Sequence, residues 1–167
     1  MTHEAPTLHL LCGKIASGKS TFAQRLAQDS QSVLISEDDW LAALYPDEMK
    51  TLSDYGRYSE RVKKVLAPHI VSLLRAGVSV ILDFPANTVQ YRAWMKGIFT
   101  TANVAHQLHI FNTPDEICLD RLRKRNASQK HPFEVTEKHF QAISAYFVLP
   151  SDEEGFDVKW HAPDDNT

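Results

Sequence analysis

Thiols are scarce in this 167-residue chain: Cys12 and Cys118 are the only two, each in an apolar context. That excludes a secreted scaffold held by disulfides and makes both cysteines small buried hydrophobes. No stretch approaches the roughly 18 consecutive apolar residues that a membrane span needs. The first residues, Met1-Thr2-His3-Glu4-Ala5-Pro6, lack the basic start and apolar run of a signal peptide, so the expected compartment is cytoplasmic. Basic charge is not in excess: 18 Lys and Arg against 21 Asp and Glu leave a net charge of −3, which argues against gripping nucleic acid by its phosphates. The eight histidines form no metal-ligand spacing. His106 and His109, three apart on an expected strand, point to opposite faces. Internal repeats, low-complexity tracts and Pro/Gly linkers are missing as well.

What is present is an ordinary globular balance, 43% hydrophobic and 23% charged, in a length suited to one domain over residues 1–167. Short apolar runs alternate with amphipathic stretches. Strands are expected at 8–12, 33–36, 78–82 and 104–111, with a fifth edge strand at 157–161. Helices are expected at 20–27 and 39–44, then at 58–76, kinked at Pro68 and closed by Gly77. Another is expected at 91–102. A further helix opens at Thr113-Pro114-Asp115-Glu116, with Thr113 as its cap, and runs to about Arg125. Phe140, Ile143 and Phe147 mark the last. This pattern predicts an α/β protein of three layers, a mainly parallel sheet of about five strands with helices on both faces. Ligands bind such sheets at the carboxyl ends of the strands.

Gly13-Lys14-Ile15-Ala16-Ser17-Gly18-Lys19-Ser20 matches G-x-x-x-x-G-K-[ST]. It follows an expected strand and opens an expected helix, which is the confirming context for a phosphate loop (P-loop). Glycines let backbone amides wrap phosphate oxygens, and the helix amino terminus adds a positive dipole end. Residues 13, 14 and 16–21 are therefore the candidate nucleotide cradle, Thr21 included. Lys19 would reach the β- and γ-phosphates and Ser20 would place a hydroxyl on Mg²⁺.

Asp83, at the expected end of the third strand, is either a second magnesium-associated carboxylate or the start of a turn before Pro85. Ser36-Glu37-Asp38-Asp39 follows the second strand. A carboxylate there can take the proton of an acceptor hydroxyl, with Asp38 the first choice and Glu37 the second. The same acids could simply cap a helix, Asp39 above all. Arg121 and Arg125 share a helix face one turn apart, placed to stack on a base and hold phosphate oxygens, or to complement the helix end.

These segments, LLCGKIASGKST, VLISEDDWLAALYP, VILDFPANTVQYR, ICLDRLRKRN and YFVLPSDEEGF, resemble the small P-loop kinases of the zeta-toxin, chloramphenicol phosphotransferase and polynucleotide-kinase type over residues 8–157. The resemblance implies a P-loop NTPase fold and transfer of the γ-phosphate of Mg-ATP to a hydroxyl of a small molecule. It implies Lys19 and Ser20 on phosphate and magnesium, Asp38 facing the acceptor hydroxyl, and Asp83 at the end of the Walker B strand. It implies Asn87 and Arg92 as a polar pair near the acceptor or γ-phosphate. Arg121 would pack on the base, Arg125 on the phosphates, with a short lid at 126–133 and the turn at 150–155 running past the base. One departure stands out: relatives carry an arginine shortly after the acidic pair, where this chain has Trp40-Leu41. Trp40 would stack on an acceptor or pack in the core.

The expected cofactors are thus ATP and Mg²⁺, and the expected state a monomer or weak dimer. Nucleic acid and membrane are not expected partners. The alternatives are a nucleotide-binding switch or module, and a kinase of polynucleotide 5′-hydroxyls. A GTPase would want N-K-x-D, which is missing, and a large ATPase motor would want a longer chain.

Overall fold

The computed structural model describes residues 5–128 and 134–163. The order is β1 Thr7–Gly13, α1 Lys19–Asp29, β2 Ser32–Ser36, α2 Glu37–Leu44, α3 Leu52–Arg75 and β3 Ser79–Pro85. Then come α4 Val89–Ala102, β4 Ala105–Phe111, α5 Asp115–Ser128, α6 Glu137–Ser144, a single 3-10 turn at Asp152–Glu154, and β5 Val158–His161. The strands form one five-stranded sheet in the order β2-β3-β1-β4-β5, and every neighbouring pair is parallel.

Strand periodicity sends alternate side chains to opposite faces, and both faces are covered. Leu8, Leu10 and Cys12 of β1 join Leu108 and Ile110 of β4 in the larger core, against Leu66, Ile70 and Leu74 of α3 and Met95 and Ile98 of α4. Leu11 of β1, Ile81 and Phe111 face the other way, onto Phe22, Ala23 and Leu26 of α1. A third cluster joins α5 and α6: Cys118, Leu122 and Phe140 pack on Ile15 and Ala16, beside the start of α1.

β1 lies between β3 and β4, so the chain crosses from one half of the sheet to the other around it. The crevice at the carboxyl end of β1 is the topological switch point. β3 carries an irregularity there: Leu10 pairs with Leu82, but Leu11 pairs with Pro85. Asp83 and Phe84 fall in that two-residue slip, and on the other edge Asp83 is level with Ser36 of β2. The strand therefore continues two residues past Asp83 rather than ending at it, and the bulge re-aims that carboxylate.

Several helix boundaries differ from expectation, those of α2 and α3 for a capping reason. α2 starts at Glu37 instead of 39, because Ser36 Oγ accepts the Asp39 N–H at 3.3 Å. Asp39 is thus not the cap, and three acids fill the first turn, where the helix dipole favours them. α3 starts six residues earlier than its apolar pattern suggests, because Thr51 and Asp54 form a reciprocal capping box. The helix runs on through Pro68, which is exposed along with Lys64 four residues earlier, so water can satisfy the carbonyl left without a donor. Thr113 does not cap α5: its hydroxyl donates to Ser17 O at 2.9 Å, and Pro114 O accepts the N–H groups of Ile117 and Cys118. α5 extends to Ser128, into the stretch expected to be a lid, whose residues 129–133 lie outside the described residues. α6 ends at Ser144, leaving Phe147 beyond it.

Candidate active site

The loop after β1 turns sharply into α1 with two left-handed residues, Ala16 at φ 59° and Gly18 at φ 107°. Alternating backbone signs of this kind turn successive N–H groups toward one concavity that suits an anion. The loop is braced from behind. Ser17 O is taken by the Thr113 hydroxyl and by Arg121 Nη1 at 3.3 Å. Asn87 holds Gly13 at two points: its Oδ1 accepts the Gly13 N–H at 2.8 Å and its Nδ2 donates to Gly13 O at 2.8 Å. Gly13 admits no side chain, since a Cβ would lie 2.5 Å from Ser17 Oγ and 3.0 Å from both Phe111 Cβ and Phe111 O.

Lys19 curls back over the loop, donating to Gly13 O at 2.6 Å and Lys14 O at 2.8 Å. Burial pushes its pKa down, while the charge of Asp83 resists that. Asp83 is pushed up by burial, and the Ser20 hydroxyl bonded to it and the Lys19 charge pull the other way. Asp83, Ser20 and Lys19 thus form one coupled polar group at the switch point.

The first turn of α2 shares a cavity with them. Both acids line the cavity, Asp38 partly exposed and Glu37 only 1% exposed. Glu37 is satisfied by three hydroxyls: Tyr55 donates to Oε2 at 2.9 Å, Tyr91 to Oε1 at 3.1 Å, and Ser59 to the same Oε1. Burial nevertheless pushes Glu37 above the ordinary carboxylate range. Tyr55 OH also lies 3.3 Å from Asp38 Oδ1.

One cavity of about 660 Å³ unites these parts. It is lined by residues 15–21, Glu37, Asp38, Asp83, Asn87, Arg121 and Arg125. Met49, Lys50, Thr51, Leu52 and Tyr55 line it near α2, and Glu134, Val135, His139 and Ile143 near α6. Arg125 Nε is buried without a partner among the described residues, and burial lowers the pKa of that guanidinium against the opposing charge of Asp38. Arg121 spends Nη2 on Pro163 O at 2.9 Å.

Three expected site residues do not border this cavity. Gly13 is buried beneath the loop, and Lys14 turns to Asp115 at 2.6 Å. Arg92 is fully buried and holds Glu154 through Nε at 2.7 Å and Nη2 at 3.0 Å. Its Nη1 donates to Ala86 O and Val148 O. Arg92 is thus a structural bolt between α4 and the carboxyl-terminal segment, not a group facing an acceptor. The turn at 150–155 is tied into that same bolt and borders no part of the cavity. Trp40 is 39% exposed and belongs to neither cavity nor core, while Leu41 is wholly buried.

Asn87 does reach the site, but as a clamp on Gly13. Sequence reasoning placed none of Tyr55, Ser59 and Tyr91 at the site. No motif marks them, and their common feature is convergence on Glu37 from α3 and α4.

Known structures resemble this chain along most of its length. A candidate kinase from Chloroflexus aurantiacus matches at 17% identity and TM-score 0.76, over 95% of this chain and 86% of that one. Mycobacterium tuberculosis APS kinase CysC, in complex with AMPPNP and APS, matches at 20% identity and TM-score 0.67, over 96% and 90%. A chain of the Pnkp1/Rnl/Hen1 RNA repair complex matches at 25% identity and TM-score 0.68, over 93% of this chain and 48% of that one. No curated protein matches significantly. The family model described as an AAA domain matches residues 8–150, the stretch that runs from β1 through the P-loop and α5 to the segment after α6, and the chain belongs to that family.

Proposed function

We propose that the protein is an ATP-dependent phosphotransferase that moves the γ-phosphoryl group of Mg-ATP to a hydroxyl of a small-molecule acceptor. One observation carries this reading: the P-loop, a carboxylate, Asp38, and two α5 arginines line the same cavity. A nucleotide-binding module needs the loop but has no use for a base in the same cavity.

The residues divide the work as follows. Backbone amides of residues 16–20 receive the β- and γ-phosphates, and Lys19 exchanges its loop carbonyls for phosphate oxygens. Ser20 and Asp83 are hard oxygen donors already bonded to each other, a pair that fits Mg²⁺. Bound there, the ion would supply charge neutralisation on the phosphates. Asp38 accepts the proton of the acceptor hydroxyl as its oxygen bonds to the γ-phosphorus. The bond from that phosphorus to the β–γ bridging oxygen breaks, and ADP leaves. Arg125, with Arg121 beside it, faces the charge on the transferring oxygens. Such a reaction belongs in the cytosol, where Mg-ATP is available.

The test is ADP release from Mg-ATP with and without a panel of neutral sugars, amino sugars, nucleosides, chloramphenicol-like antibiotics and 5′-hydroxyl oligonucleotides. Lys19→Ala serves as the blank. Stimulation by one acceptor class, lost in that variant, is the expected result. A rate indifferent to every acceptor would favour the nucleotide-binding module, and unchanged turnover in Lys19→Ala would remove the P-loop from the reaction.

A further inference from the structure

Behind Asp38 lies a cluster of oxygens that phosphoryl transfer in itself does not require. Tyr55 and Ser59 sit one turn apart on α3, Tyr91 projects from α4, and Glu37 stands between them on α2. Five oxygen–oxygen contacts link this group to Asp38. Tyr55 OH meets Glu37 Oε2 at 2.9 Å and Asp38 Oδ1 at 3.3 Å. Glu37 Oε1 meets Ser59 Oγ, and Tyr91 OH at 3.1 Å. Ser59 Oγ and Tyr91 OH are 2.7 Å apart.

Each of these contacts needs a hydrogen of its own, and the three hydroxyls carry only three. With both carboxylates ionised, Tyr55 can donate to one of them and turns a lone pair toward the other. One added proton fills both contacts of Tyr55 in either of two ways, while one of the three contacts among Glu37 Oε1, Ser59 Oγ and Tyr91 OH stays without a hydrogen. On Asp38, it is donated to Tyr55, whose own hydrogen goes to Glu37. On Glu37, it is donated to Tyr55, whose hydrogen goes to Asp38. The two arrangements differ only by a shift of each hydrogen across its own hydrogen bond.

We propose that Asp38, Tyr55 and Glu37 form a proton relay, in which Glu37 receives through the Tyr55 hydroxyl the proton that Asp38 takes from the acceptor. This rests on Asp38 being the base. The step balances: the acceptor O–H breaks, its hydrogen goes to Asp38, the Asp38 hydrogen passes to Tyr55, and the Tyr55 hydrogen passes to Glu37 Oε2. Asp38 is a carboxylate again, Glu37 is neutral, and Tyr55 is unchanged. The proton returns to solvent by the same path once product leaves. Glu37 suits the terminus because burial favours its neutral form, whereas Asp38 beside it is only partly buried. Tyr55 and Glu37 act through Asp38 and are positioning residues.

Among the described residues, these charges surround the relay. Asp39 shares its helix, and Asp83 lies level with Ser36 on the neighbouring strand. On α3, Lys63 pairs with Glu60 and sits 4.1 Å from the centroid of the Tyr91 ring. Lys19 and Arg125 feel the charge of Asp38 from α1 and α5. His139, Glu134 and Lys50 line the cavity at greater remove.

The test follows the carboxyl carbons of Asp38 and Glu37 by ¹³C NMR through a pH titration, in wild type, Tyr55→Phe and Glu37→Gln. In wild type both signals are expected to move through the same two steps, as coupled groups do. In Tyr55→Phe the coupling should weaken to the direct charge interaction of the two neighbouring carboxylates, and in Glu37→Gln the Asp38 signal should collapse to one step. Turnover is read in parallel as Mg-ATP hydrolysis, with water as the acceptor. Tyr55→Phe should lower kcat by roughly 10- to 100-fold, the worth of a hydrogen bond to a charged group, with KM for ATP unchanged. Independent titration in wild type, or an unchanged kcat in Tyr55→Phe, overturns the relay alone. Unchanged turnover in Asp38→Asn overturns the base assignment and the relay with it.

Discussion

Replacing Glu154 by alanine would strand a charge in the interior. The Arg92 guanidinium is fully buried, and Glu154 supplies its only carboxylate partner among the described residues. Ala86 O and Val148 O would remain as acceptors at 2.9 and 2.7 Å, but neither carries a neutralising charge. Breaking a buried ion pair from one side costs about 3–5 kcal/mol. Glu154 is 17% exposed, so water can enter where it stood, and the low end of about 3 kcal/mol applies. The change also removes the Glu154 bond to the Ser151 N–H at 3.0 Å, which caps the 3-10 turn. At roughly 2–4 °C per kcal/mol for a chain of this size, Tm should fall by about 6–12 °C. The double variant Arg92→Met, Glu154→Met removes both charges and should recover most of the loss. Thermal and urea unfolding of the three proteins measures this, alongside KM for whichever acceptor the panel identifies. A fall in Tm under 2 °C with a large rise in acceptor KM would refute the reasoning and return Arg92 to the substrate.

Three further outcomes are expected. Asp38→Ala should leave ATP affinity intact and cut phosphoryl transfer by about 10²- to 10⁴-fold, the worth of a general base; a loss of affinity instead would make Asp38 a structural or metal-holding group. Gly13→Ala forces a Cβ against Ser17 Oγ and Phe111, which should cost about 1–3 kcal/mol and weaken nucleotide binding. Calorimetric titration with ATP, beside an unfolding curve, would expose the error if both stayed at wild-type values. His109 is 2% exposed, bonded to His9 at 3.1 Å and His161 at 2.8 Å, and its pKa is lowered to about 3 by burial and then by those two neighbours. Its folded value lies below the unfolded 6.5, so the stability it confers is full above pH 6.5 and is lost as pH falls toward 3, at up to about 1.4 kcal/mol per unit. Comparing urea midpoints at pH 7 and pH 5 for wild type and His109→Gln isolates this slope, and parallel slopes would contradict it.

The P-loop was legible because its function is local. Eight consecutive residues contain both the turn and the groups it needs, and the flanking apolar strand and amphipathic helix announce their context within twenty residues. The parallel sheet was legible for a related reason: strands buried on both faces must be continuously apolar. A capping box caused the largest boundary error at a helix start, since Thr51 and Asp54 extend α3 beyond its apolar stripe and a hydrophobic pattern is blind to them. The start of the loop expected at 126–133 was set too early, because α5 stays helical through residues 126–128, which have no apolar period to mark them.

The sequence alone determined the nucleotide cradle and the strand–helix frame, because hydrogen bonding and burial there depend on near neighbours. Tertiary structure alone decided how the acidic turn is divided. Glu37 and Asp38 are adjacent and chemically alike, but successive helix residues point about 100° apart. Once Ser36 caps α2, that rotation sends Glu37 into three hydroxyls from α3 and α4 and leaves Asp38 partly exposed in the cavity. The same logic withdrew Arg92 from the site, because Glu154, 62 positions away, lies close enough to claim it and nothing local foretells that.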